Sequence, residues 1–234
     1  YVLAGYYATD TSAALTATTY QAALSSANLA LCGAQMLTAE RAVYALCRPP
    51  GHHAMRGAMG GYCFLNNAAT AAAFLSQNGA RVALLDVDYH HGNGSQDIFY
   101  HRPDVLTISL HADPVFEYPY YLGYADEHGV GAGAGYNLNL PLPAGTIWAG
   151  YQPALEIALQ RIRRFGAEVL VLSLGFDTFS GDPLGTFALE TADYSSMASQ
   201  IAALELPTLL VQEGGYANAA LGHNATAFIQ GFLH

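Results

Sequence analysis

The sequence predicts an α/β fold: a single domain with a mostly parallel central sheet and helices on both of its faces. Three observations predict it. Short apolar runs rich in Val, Leu and Ile alternate with alanine- and leucine-rich stretches of helical length throughout the 234 residues, the order in which parallel strands are connected. The runs are apolar at nearly every position, as in strands covered on both faces. Apolar residues make up 52% of the chain and charged residues 11%, with 24 glycines, which suits a compact enzyme and excludes a disordered or fibrous protein.

The elements follow in order. Thr18 to Met36 is alanine- and leucine-rich and free of proline, hence a helix, with Gly33 weakening its last turn. Ala42 to Leu46 is a short strand, stopped by Arg48, Pro49, Pro50 and Gly51. Asn66 caps a second helix that reaches Gln77. A strand from Arg81 to Asp88, a short helix from Gln96 to Tyr100 and a strand from Val105 to Leu110 come next. His111 to Gly135 is a long aromatic loop, and such length inside a compact domain points to function. Tyr136 to Leu140 alternates like a strand, Ile147 to Phe165 has helical periodicity, and Val169 to Leu174 is a buried strand running into GFDTFSGDPLG. A helix from Glu190 to Leu204, a strand from Thr208 to Gln212 broken by EGGY, and a helix from Ala219 to Phe232 complete the chain.

A formal net charge of −10 argues against nucleic acid as a partner and suits a cationic substrate. There is no apolar run of membrane-spanning length and no basic-then-apolar leader, so no membrane partner is expected. Cys32, Cys47 and Cys63 are too few and too spread for a disulfide framework or a thiolate zinc site, which points to the cytoplasm. The chain opens on YVLAGYYATD without an initiator Met and is read as one domain, residues 1–234.

The chemistry is concentrated at strand ends. LLDVDYHHGNG, Leu84 to Gly94, feeds an apolar run into two aspartates and two histidines, and strand alternation puts Asp86, Asp88 and His90 on one side. RPPGHHA carries His52 and His53, SLGFD carries Asp177, and QEGGY carries Tyr216. Each loop follows an apolar strand, so all four meet at the carboxyl edge of the sheet, where open α/β sheets hold their ligands. Singly, these residues read as surface histidines and capping aspartates; four such endings together do not. Asp88, His90 and Asp177 offer two carboxylates and an imidazole with an open position, as in catalytic zinc sites. A metal there acidifies a water and polarises a carbonyl. One of the paired histidines takes the proton and returns it to the leaving amine, Asp86 orients a histidine, and Tyr216 donates to the oxyanion. The set spells metal-assisted hydrolysis of an amide. Cys63 beside it has no base partner and reads as a packed thiol.

RPPGHHA, GGYCFLNNAA, LLDVDYHHGNGSQDIFY, SLHADP, LSLGFD and QEGGY together resemble the histone deacetylase superfamily, and LGYADEHGVGAGAGYN is most similar to its bacterial acetylpolyamine amidohydrolases. The resemblance implies a deacetylase-like catalytic domain over residues 1–234 with an arginase/deacetylase-like fold that lacks an N-terminal portion, and Zn2+ held by Asp88, His90 and Asp177. It makes His53 the general base and acid, His52 its electrostatic partner held by Asp86, and Tyr216 the oxyanion donor. It implies a substrate channel at Gly61, Tyr62 and Tyr118, the last a Tyr where a Phe is also found. It implies structural K+ at Asp86, Asp88, His90, Ser109 and Leu110, and again at Phe99, Arg102, Val105 and Tyr136. Asn93 stands where some members place an Asp against the second histidine. The implied activity is removal of acetyl from acetylated polyamines or similar primary amines, by a homodimer. Asp113, Glu117, Asp126 and Glu127 of the long loop are expected to draw the distal ammonium groups. Acetyl-lysine in peptides is the second reading, and a non-catalytic metal-dependent acyl-amine binding module the third. A dinuclear manganese ureohydrolase would need more carboxylates.

Overall fold

The computed structural model describes residues 5–233. Its strands are β1 (Ala42–Ala45), β2 (Val82–Asp86), β3 (Val105–Ala112), β4 (Asn137–Leu142), β5 (Val169–Leu174) and β6 (Thr208–Gln212). They form one sheet in the order β1-β6-β5-β2-β3-β4, and every neighbouring pair is parallel. The helices are α1 (Thr19–Met36), α2 (Asn67–Gln77), α3 (Asn93–Phe99), α4 (Trp148–Phe165), α5 (Thr191–Ala202) and α6 (Asn218–Leu233). None is long and apolar enough to cross a membrane.

Both faces of the sheet are covered, and the strand period of two divides the core accordingly. Leu85, Ile108 and Leu172 face a cluster with Tyr151 and Leu155 of α4, Tyr194 of α5 and Phe228 of α6. Leu84 and Val171, next to Leu85 and Leu172 along their strands, and Leu209 of β6 face the other side, against Ala30 and Ala34 of α1 and Ala68 and Ala72 of α2. The alanine-rich helices thus lie on one face and the aromatic-bearing ones on the other. β2 and β3 are buried at every residue, which is why their sequences carry no polar alternation.

Three boundaries that differ from the sequence reading shape the site. β2 stops at Asp86 rather than Asp88. Past it the Asp88 backbone N–H donates to Asp86 Oδ1 at 3.0 Å and the His90 N–H to Asp88 Oδ1 at 2.9 Å, so side-chain turns replace the strand ladder. The following helix accordingly begins at Asn93 rather than Gln96. β3 runs on to Ala112, paired to Leu142 of β4, so His111 belongs to the sheet and the aromatic loop starts at Asp113.

Candidate active site

The order β6-β5-β2 sets three of the four loops side by side, and the fourth reaches across from β1. The donor atoms of Asp88, His90 and Asp177 lie within 4.8 Å of one another. His90 Nδ1 is 3.1 Å from Asp177 Oδ2 and 3.4 Å from Asp88 Oδ1. Burial, and then the charge of Asp88, raises Asp177 to about 7. Against the penalty of burial, hydrogen bonds to Asp177 and Asp88 raise His90 to about 10. Asp88 is held below the usual carboxylate range, because His52 and His90 outweigh its own burial. Two buried carboxylates and one imidazole converging from two loops are the donor types of an open catalytic metal site, so the set fits a divalent ion. Gly214 allows this crowding. Its N–H donates to Asp88 Oδ2 at 2.9 Å, and a Cβ there would stand 2.5 Å from Asp177 Oδ2.

Asp86 is not one of the three donors, although both it and Asp88 face His52, whose Nε2 lies 3.7 Å from Asp88 Oδ1. The pleat ends at Asp86, whose Oδ2 meets His52 Nδ1 at 3.0 Å, while turns carry Asp88 and His90 to the cluster. His53 Nδ1 instead meets Asn93 Oδ1 at 2.7 Å. An amide oxygen only accepts, so Nδ1 carries the proton and Nε2 keeps its lone pair. Burial depresses His52, but Asp88 and Asp86 more than offset this and hold it well above its ordinary value. Burial, then the charges of His52 and His90, puts His53 well below.

Tyr216 follows β6, and its ring packs edge-on against Tyr62 with centroids 5.9 Å apart. Burial, then Asp88 and Asp177, raises its hydroxyl and keeps it protonated. Tyr118 stands edge-on to His53 at 4.8 Å, with its ring 6.3 Å from that of His90. Gly61 and Tyr62 both take the left-handed conformation, at φ 52 and 66. A Cβ on Gly61 would lie 2.1 Å from His53 Cδ2. Gly61, Tyr62 and Tyr118 are therefore all brought to the histidines or to Tyr216. Cys63 is fully buried, and burial raises its thiol.

Of the four long-loop acids, Asp126 is exposed and the other three are engaged by donors of the protein itself. Glu127 Oε2 accepts from Gln96 Nε2 at 2.7 Å and from the Gly123 N–H at 2.9 Å. Glu117 accepts from the Tyr89 hydroxyl and the Tyr118 N–H, and Asp113 from the Val115 N–H. A folded loop this polar uses its acids to satisfy its own donors. Of the expected cation ligands, Asp86 and Ser109 are register partners and both line a cavity of about 10 Å³. Asp88, His90 and Leu110 are not part of that lining. Around the second set, Phe99 O accepts the Arg102 N–H at 2.8 Å and Tyr136 O the Thr107 N–H at 3.0 Å. A larger cavity of about 1110 Å³ touches Tyr62 and Tyr216 but none of Asp88, His90, Asp177 or His53. It adjoins the site without being it.

Three acids escaped the sequence reading. Asp10 Oδ2 accepts the Tyr118 hydroxyl at 2.7 Å and the Gly61 N–H at 2.8 Å, tying two channel elements together. Glu213 Oε2 accepts the N–H groups of Gly51 at 2.7 Å and His52 at 3.2 Å. Asp182 Oδ2 accepts those of Tyr216 at 2.6 Å and Ala217 at 2.9 Å. Glu213 and Asp182 sat inside quoted motifs, QEGGY and GDPLG; Asp10 sat in an undistinguished polar stretch.

The histone deacetylase domain model matches residues 3–232. The chain is 56% identical to acetylpolyamine amidohydrolase 2 of Pseudomonas aeruginosa over 97% of its own length and 67% of that protein's. It is 49% identical to the acetylpolyamine amidohydrolase of Mycoplana ramosa over 97% and 67% of the two lengths. The crystal structure of an acetylpolyamine aminohydrolase from Burkholderia pseudomallei superposes with a TM-score of 0.90 at 50% identity, covering 92% of this chain and 63% of that one. The chain thus spans about two thirds of the length of the relatives it matches.

Proposed function

The chain belongs to the histone deacetylase family, and from that premise we propose that it is a zinc-dependent amidohydrolase removing acetyl groups from acetylated polyamines. The observation that carries the reading is the convergence of Asp88, His90 and Asp177 beside two histidines with different partners, His52 on Asp86 and His53 on Asn93.

Asp88, His90 and Asp177 would hold the ion, which when bound supplies Lewis acidity toward water and the amide carbonyl. His53 Nε2 takes a proton from the attacking water and hands it to the leaving amine. His52, whose Nδ1 is held by Asp86, lies beside His53 and disfavours a second positive charge there. The Tyr216 hydroxyl donates to the carbonyl oxygen as charge develops there. The rings of Tyr62 and Tyr118 flank the aliphatic arm and exclude water. The names of the two similar hydrolases and the net charge of −10 support a cationic acetylated amine as substrate. A structural K+ between Asp86 and Ser109 fits the small cavity there, which has room for about one ion or water. A cytoplasmic setting accompanies the reading, since Cys32, Cys47 and Cys63 are free thiols.

Acetate release from N-acetylputrescine and N-acetylspermidine, with zinc restored and Tyr216→Phe alongside, tests the proposal. Turnover that falls about 100-fold or more in the variant supports it. Faster turnover of an acetyl-lysine peptide moves the substrate to proteins. Binding of the amines without turnover makes the chain a binding module.

A further inference from the structure

The SGDPLG loop carries a buried carboxylate that the reaction above leaves without a role. Asp182 is 7% exposed and lies five residues after Asp177 on the loop leaving β5. All its side-chain hydrogen bonds go to main chain. Oδ1 accepts the Leu184 N–H at 2.9 Å, and Oδ2 accepts the consecutive N–H groups of Tyr216 and Ala217 at 2.6 and 2.9 Å. The loop bearing Asp182 is itself anchored, by a bridge between Phe179 and Leu189 and by the Ser180 N–H on Leu189 O at 2.9 Å.

Tyr216 needs such an anchor. Two glycines precede it, the second at φ 133, and α6 begins only at Asn218. Glycines leave a backbone free to turn, so nothing in the local sequence fixes the direction of the Tyr216 Cα–Cβ bond. The EGGY loop is pinned upstream, where the Gly214 N–H meets Asp88, and downstream at Asp182. Two charge-assisted hydrogen bonds on one carboxylate oxygen form a stiff pair. The phenol hydroxyl lies at the far end of its side chain, so a small rotation of the main chain moves it by ~1 Å, a displacement that can cost about 100-fold in rate.

We propose that Asp182 is a positioning residue for Tyr216, holding its main chain so that the hydroxyl meets the carbonyl oxygen of the scissile amide. The inference rests on the reading of Tyr216 given above. It predicts that Asp182 acts only through that hydroxyl.

A double-mutant cycle tests it. Wild type, Asp182→Ala, Tyr216→Phe and the double variant, all zinc-loaded, are titrated with a trifluoromethyl ketone analogue of N-acetylputrescine, whose hydrate mimics the tetrahedral adduct. Kinetic constants, zinc content and Tm are measured in parallel. Asp182→Ala is expected to weaken the analogue and lower kcat, each on the order of 10- to 100-fold, with KM within about 2-fold of wild type. Asp182→Asn, whose amide oxygen still accepts both N–H groups, is expected to recover most of that loss. In the Tyr216→Phe background Asp182→Ala should change the Kd of the analogue no further. Equal weakening in both backgrounds, or a loss confined to KM, overturns the inference and leaves Asp182 a structural residue. If Asp182→Ala does not fold, Asp182→Ser, too short to reach both N–H groups, takes its place in the cycle. Failure of the functional reading shows earlier and separately: wild type then neither turns over acetylated amines nor binds the analogue, and the inference falls with it.

Discussion

The Nδ1 atom of His53 lies 2.7 Å from Oδ1 of Asn93, while Nδ1 of the adjacent His52 lies 3.0 Å from Oδ2 of Asp86. The two rings share a loop, with centroids 4.0 Å apart, yet one has a neutral partner and the other an anionic one. The difference sorts the proton. His52 is held well above its ordinary value and His53 well below. Neighbouring groups whose pKa values are pushed apart are the mark of divided acid and base roles.

Asn93→Asp should undo this division. A carboxylate at 2.7 Å stabilises protonated His53, and an opposite charge at that range raises a pKa by roughly 1–3 units. His53 must be neutral to accept a proton, so the acid limb of kcat/KM should move to higher pH in the variant. A pH–rate profile checks it; coincident acid limbs would remove His53 as the base.

Gly61→Ala should damage the same base from the other side. The new Cβ would lie 2.1 Å from His53 Cδ2, at a backbone φ of 52 that L-residues adopt at a cost of about 1–2 kcal/mol. The ring must shift, and kcat should fall by about 100-fold while zinc content stays at the wild-type level. Unchanged kcat would show that the His53 ring has room to move without consequence.

The metal set carries its own test. With Asp88 and Asp177 converging on His90, the folded protein but not the unfolded chain presents a divalent site. Zinc at 100 times its Kd should stabilise the fold by about 2.7 kcal/mol. Removal by chelation should lower Tm and abolish turnover, and added zinc should restore both. In Asp177→Asn the zinc-dependent gain in Tm should largely vanish; a full gain there would place the metal elsewhere.

Much of this was legible in the chain, for physical reasons that also mark the limits. β2 and β3 were readable because burial on both faces demands unbroken apolar runs, and RPPGHH, DVDYHH, GFD and EGGY were readable because polar clusters directly after such runs have few structural uses. The site's backbone was not. Strand alternation grouped Asp86 with Asp88 and His90, whereas the ladder gives way after Asp86 to turns made by the aspartates themselves. Nor does a sequence show which acids are spent on backbone donors. Glu127 looked free to meet a substrate and is occupied by Gln96 and Gly123, while Glu213 and Asp182 looked incidental and anchor the loops that bear His52 and Tyr216. Such partners lie across the fold: Glu213 and Gly51 are 162 residues apart.

Glu213 gives the sharpest test of stability against pH. Burial raises its carboxyl from 4.5 to about 7, with His52 and the Gly51 N–H opposing. The folded state therefore keeps a proton that the unfolded chain has already lost. The stability this provides is fully present below pH 4.5 and is lost as pH rises through about 7. Glu213→Gln has no such titration, and its amide oxygen can still accept from Gly51 and His52. The Tm of Glu213→Gln relative to wild type should therefore climb between pH 4.5 and 7 and level off above. Parallel Tm curves would show that Glu213 titrates alike in both states. Glu213→Ala separates charge from hydrogen bonding. It strands the two N–H groups, at about 1–3 kcal/mol for each buried donor, and so should be less stable than Glu213→Gln at every pH.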